Sequence, residues 1–233
     1  MEFFNETHRN LINEMLVDFT GKEADKQSLK EIIISLFENV KREGVDNLLK
    51  FFDTHGFYTA PASTRFHGNF EGGLAAHSIN VCALLYNQNK IHNLNLSKET
   101  IIVAGLCHDM CKLDFYKQTA KNTKIYLENG ENAPAYARVQ SDPVGRFYWE
   151  TKLGYDVDDQ MPMPHASKSL YMLQGFINVS REEAFLIMWH MGPFGCLQSE
   201  PYGFNNAVEY QPSCAAMFTA DFLASSLYEK KID

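Results

Sequence analysis

Acids and imidazoles sit on the faces of the most apolar helical segments of this chain, and nothing else in it restricts the fold as strongly. Asp221 lies in CAAMFTADFLASSL on a stripe with Cys214, Met217, Phe218 and Ala224. His77 shares the stripe of Leu74, Val81, Leu84 and Leu85. His190 ends the run AFLIMWH, and His108-Asp109 ends IIVAGLC. An ionised carboxylate on a buried helix face is strongly unfavourable without a partner. One histidine on an apolar face is ordinarily a core residue with a single hydrogen bond. Five acids and imidazoles from four apolar segments are different, because together they need compensating charge, which one or two divalent cations would supply. Imidazole and carboxylate suit Mn²⁺, Fe²⁺, Co²⁺, Ni²⁺ or Zn²⁺. The absence of a CxxC pair argues against a structural zinc finger. Consecutive residues diverge by about 100° on a helix, so His108 and Asp109 reach one ion together only near a helix end.

The surrounding pattern is mostly helical. Leu11, Ile12, Met15 and Leu16 keep helical spacing within 5–18. Ser28 and Glu31 form a capping box ahead of IIISLFENV, and Ser180 and Glu183 form another ahead of AFLIMWH. Further helices are predicted over 44–54, from near Gly73, after the N-cap Ser97, over 165–177, and over 212–231. Residues 114–164 break this pattern, and Asn129-Gly130 supplies a hairpin signal within them. The expected fold class is therefore all-α, a helical bundle with a small β-hairpin or lid insertion. One domain over 1–233 is the economical reading, with N-terminal helices in 1–50 and the insertion in 114–164.

Composition sets the outer bounds. A chain of 233 residues, 45% apolar, buries a sizeable core. A net charge of −8 disfavours long duplex nucleic acid, which needs a basic surface. No run of 18 apolar residues predicts a membrane span, and the polar start MEFFNETHRNLINEM does not read as a signal peptide. Five cysteines, an odd count with no CxxC, fit a reducing cytoplasmic setting.

The ordered residues resemble the HD superfamily of metal-dependent phosphohydrolases: His77 in GGLAAHS, His108-Asp109 in CHDMCK, His165 in PHASKS, His190 in WHMG and Asp221 in FTADFLAS. The stretch PASTRFHGNFEGGLAAHS also resembles the segment before the first metal histidine in that superfamily, including its 3′→5′ exoribonuclease members. The resemblance spans roughly residues 55–230 and implies an HD-domain helical bundle. It implies that His77, His108, Asp109 and Asp221 hold one ion and that His165 and His190 hold a second, with Asp109 bridging. Asp109 and Lys112 would be catalytic, and Arg65, His67, Lys112 and Lys168 would contact substrate. Cys111 replaces a frequent glycine of the family, and HASKS replaces its HGEKS. The implied activity is cleavage of a phosphate ester of a nucleotide or short nucleic-acid end by metal-activated water. Two other readings share the ligand order: an HD-type di-iron oxygenase, and a non-catalytic nucleotide-binding or regulatory protein. The expected partner is a small phosphorylated substrate, with no membrane and no long duplex; an oligomer is left open.

Other residues take plainer readings. Cys107 and Cys111 are expected as core packing, and His8, His55 and His92 as surface. Tyr116, Tyr126, Tyr136, Phe147, Tyr148 and Trp149 either pack the insertion or stack on a base.

Overall fold

The computed structural model describes residues 26–128, 130–196 and 202–229. The helix expected over 5–18, His8 and Asn129 lie outside the described residues. Helix α1 (Lys26–Phe37) buries Leu29, Ile33 and Phe37, four residues apart, and α2 (Val45–Thr54) buries Val45, Leu48 and Phe52. Ser28 lies within α1 rather than ahead of it. Helix α3 (Gly73–His92) is buried all round from Gly73 to Leu85, and α4 (Lys98–Cys107) from Thr100 to Cys107. Helices apolar on every side occupy the centre of a core, and these two form it. As expected, Ser97 caps α4, its hydroxyl accepting from the Thr100 amide at 3.0 Å.

Helix α5 spans His165–Gln174 and α6 spans Arg181–Met188. The Ser180–Glu183 capping box opens α6: the Ser180 amide donates to Glu183 at 2.8 Å and the Glu183 amide to the Ser180 hydroxyl at 3.2 Å. The fully buried Glu183 carboxylate also accepts both arms of Arg42, at 2.6 and 2.7 Å, which ties the α1–α2 connection to the start of α6. Helices α7 (Gly203–Tyr210) and α8 (Ser213–Leu223) follow, and α8 continues into a π-helical turn, Ala224–Tyr228. Among the described residues, no helix is long and apolar enough to cross a membrane.

The all-α expectation is corrected. Eight α-helices share the described residues with a three-stranded antiparallel sheet, so the fold is mixed, with helices dominant. Strand β1 (Tyr116–Tyr126) pairs along its whole length with β3 (Arg146–Val157), from Tyr116 opposite Val157 to Tyr126 opposite Phe147. The short β2 (Gln140–Ser141) pairs on the other side of β3. The tight turn joins β2 to β3 at Asp142–Gly145, whose backbone groups exchange hydrogen bonds of 3.0 and 3.2 Å; Gly130, with φ +90°, lies in the longer connection from β1. The sheet was underestimated because β1 is polar along most of its length (KQTAKNTK) and the apolar residues of β3 do not build a core. Phe147, Trp149, Leu153, Tyr155 and Val157 alternate along β3, but Trp149, Leu153 and Val157 stay exposed, and only Phe147 and Tyr148 of the two long strands are buried. Pairs such as Thr119–Asp156 at 2.9 Å and Asn122–Thr151 at 2.8 Å supplement the backbone ladder.

The close approach of α3 to α4 depends on Gly105, where a Cβ would stand 2.5 Å from the Cys82 Cα. Two backbones cannot separate locally inside a packed core. Gly105→Ala should therefore cost about 1–3 kcal/mol of stability in urea denaturation; an unchanged midpoint would show that the helices do not meet this closely.

Candidate metal centre

Each candidate ligand occupies a position that its local chain makes accessible. His77 projects from α3, one turn inside its start. His108 caps the end of α4, its amide bonding the Ala104 carbonyl at 3.1 Å. Asp109 then leaves helical geometry (φ −107°, ψ 22°) ahead of the 3-10 turn Met110–Lys112. The break lets two adjacent residues face one point. His165 opens α5 directly after Pro164, His190 lies just beyond α6, and Asp221 sits on α8.

These six side chains converge, and Asp109 is their centre. Its Oδ1 lies 2.7 Å from His165 Nε2 and 3.6 Å from His190 Nε2. Its Oδ2 lies 3.4 Å from His108 Nε2 and 3.6 Å from His77 Nε2. Asp221 Oδ1 is 3.2 Å from His77 Nε2. His77, His108, Asp109 and His190 are buried, whereas His165 retains 38% and Asp221 15% side-chain exposure, so solvent reaches the cluster at those two residues.

The outer nitrogens decide what the inner ones offer. His108 Nδ1–H donates to the Gly105 carbonyl at 2.9 Å, and His190 Nδ1–H to that of Ile187 at 2.7 Å. Each ring is thereby set in the tautomer whose Nε2 lone pair points inward. His190 Nε2 is buried without a hydrogen-bond partner. His77 Nδ1 lies 3.0 Å from both oxygens of Glu229, which also accepts from Asn80 at 3.0 Å. The His77 and His108 Nε2 atoms stand 3.3 Å apart, a repulsive meeting of lone pairs unless a proton or a cation lies between them.

Electrostatics favour the charged acids and a shared cation. Burial opposes charge on His77, but Glu229 and Asp221 outweigh it and hold its pKa at about 10. Burial pushes His108 down. Burial would raise Asp109, yet Lys112 and His108 hold it well below the usual carboxylate range. Asp221 and Glu229 are likewise depressed by His77 against the effect of burial. Inward lone pairs, an orphaned Nε2, and a carboxylate with each oxygen facing a different pair of imidazoles fit a divalent transition metal.

The other expected contacts divide. Lys112 donates to Asp109 Oδ2 at 2.5 Å, and this pairing outweighs burial and raises its pKa. The His67 ring lies 4.9 Å from that of His77, its Nε2 is buried without a partner, and burial, then His77, lowers its pKa to about 4. Arg65 is exposed on the preceding loop. Lys168 is buried and engaged elsewhere: it binds Asp159 at 2.6 Å beside the Phe115 ring, tying the segment after β3 to α5.

Three contributors escaped the sequence reading. Glu229 and Asn80 orient His77. Asn80 follows His77 by three residues on one helix face, but Glu229 reaches it only through the wide turn after α8. Cys111 does more than fill space, since its Sγ lies 3.2 Å from His165 Nδ1; burial, then Asp109, pushes its thiol up to about 12. Cys107 is core packing as expected. No family model matches the chain, nor does any curated protein or solved structure.

Glu229→Gln should weaken the binding of added Mn²⁺ about 10–100-fold, the usual consequence of losing a ligand's orienting partner, with an unchanged circular dichroism spectrum. Equal affinity in calorimetry would remove Glu229 from the centre.

Proposed function

We propose that His77, His108, Asp109, His165, His190 and Asp221 hold one or two divalent transition-metal ions, and that the protein is a metal-dependent phosphohydrolase acting on a nucleotide or short nucleic-acid end. The observation that carries this reading is the division of Asp109, one oxygen toward His77 and His108, the other toward His165 and His190. In this reading His77, His108, Asp109 and Asp221 serve one ion, and His165, His190 and Asp109 the other. The chemistry such ions bring, when bound, is acidification of water and neutralisation of charge on phosphoryl oxygens.

The chain's own residues do the rest. Asp109 stays ionised and centres the donors. Lys112, half-buried beside it, has N–H donors beyond the one given to Asp109, and these meet a phosphoryl oxygen. His67, neutral at physiological pH because of its burial and of His77, offers a buried ring nitrogen beside the same point. Of the six donors, His165 and Asp221 keep the most exposure. The net charge of −8 argues for a small substrate over a long duplex. All five cysteines are free, which supports a place in the reducing cytoplasm.

Elemental analysis of the purified protein should find a first-row transition metal, and Mn²⁺, Co²⁺ or Ni²⁺ should support phosphate release from a nucleotide panel. Asp109→Ala should abolish both the bound metal and turnover. Retained turnover in that variant would refute the reading, and metal-dependent oxygen uptake without phosphate release would replace it with the di-iron oxygenase. Lys112→Ala should keep its metal but lower kcat about 10²–10³-fold, the scale of losing one transition-state donor; an unchanged kcat would reduce Lys112 to a structural partner of Asp109.

A further inference from the structure

Next to the cluster, and sharing Lys112 with it, lies a cleft of about 250 Å³ between the turn at 55–61 and the roots of β1 and β3. Its two ends differ in charge. Lys112 forms the inner wall, against Asp109. At the other end stand the carboxylates of Glu71 and the 63%-exposed Asp114, the latter 3.9 Å from His55 Nε2. Half-buried aromatic rings make the sides: Tyr116 packs edge-on against Phe115 at 4.9 Å and against Tyr155 at 6.5 Å. The Tyr116 hydroxyl reaches the Ala62 carbonyl at 3.4 Å, which fixes that ring, and the β1–β3 register sets Gln118 opposite Tyr155. Asp114 holds a left-handed conformation, φ 49°, and this turn carries the chain from Lys112 straight into the aromatic wall.

A cation inside, acceptors outside and flat rings between them describe one kind of ligand. Its phosphate end faces Lys112, its planar ring lies along the tyrosines, and its hydroxyl or amino donors meet Glu71 and Asp114. The volume is below the ~300 Å³ at which pockets for drug-sized ligands begin, so it accommodates one ring system and not a run of nucleotides. We propose that this cleft is the nucleoside subsite of a mononucleotide whose phosphate lies against Lys112. The proposal rests on the phosphohydrolase reading for the orientation of the phosphate; the cleft itself needs no metal.

Isothermal titration of the full chain, in chelator and again with Mn²⁺, compares nucleoside 5′-monophosphates, ribose 5-phosphate and inorganic phosphate. In chelator, at least one mononucleotide should bind about tenfold or more tightly than ribose 5-phosphate. Tyr155→Ala, which removes a wall, and Thr59→Trp, which fills the cleft, should each erase that difference and leave the affinity for inorganic phosphate unchanged. Nuclear Overhauser contacts between base protons and tyrosine ring protons read the same contact in the unsubstituted protein, whatever the variants' stability. Equal binding of mononucleotide and ribose 5-phosphate, or base contacts to no tyrosine, would overturn the subsite even with turnover intact. Absence of metal and turnover, with mononucleotide binding retained in chelator, would instead overturn only the hydrolase reading.

Discussion

Inward-facing lone pairs and carboxylates cannot share a dry interior without positive charge between them, and the centre of this molecule is organised by that requirement. His77 and His108 bring Nε2 atoms to 3.3 Å, with Asp109 and Asp221 beside them. Such an arrangement persists only if a proton or an ion joins its members. Other buried charges among the described residues have direct partners: Lys168 meets Asp159, and Glu183 accepts two short hydrogen bonds from Arg42. At Asp109 the donors outnumber what pairing can serve, and His190 Nε2 is left over. That surplus distinguishes a prospective coordination site from an ordinary buried ion pair.

Packing and placement act together to maintain this geometry. Gly105 allows α4 to press against Cys82 of α3, and its carbonyl also anchors His108, so one residue serves both the helix contact and the ring orientation. Helix ends supply most of the donors, because a break in helical geometry is what lets neighbouring residues such as His108 and Asp109 converge. Outside the donors, Glu229, Asn80 and the backbone carbonyls of Gly105 and Ile187 hold the rings in place. The aromatic cleft is attached to this centre at Lys112, so changes in the sheet and changes at the acids meet at one ammonium group.

The donors were legible in the sequence because a histidine or aspartate on an apolar stripe contradicts its surroundings. Five stood out that way, and His165 joined them through the resemblance alone, since HASKS opens an amphipathic helix and conflicts with nothing. Other features gave no local signal. A hairpin was expected within 114–164, but the length of the pairing and the third strand were not legible, because β1 is mostly polar and strand pairing is a backbone property. Lys168 looked like a phosphate contact, but its partner Asp159 sits in the irregular stretch before α5, where no period predicts a meeting. Glu229 depends on a π turn that a regular helical projection misplaces. The cleft draws on three separated segments and becomes visible only once they are folded together.

Anomalous X-ray diffraction at a transition-metal absorption edge, on crystals grown with Mn²⁺ or Ni²⁺, tests the central claim most directly. A peak within coordination distance of His77 Nε2, His108 Nε2, Asp109 and Asp221 is the predicted result. A map without anomalous density there, with the same side chains bonded only to one another, would contradict it.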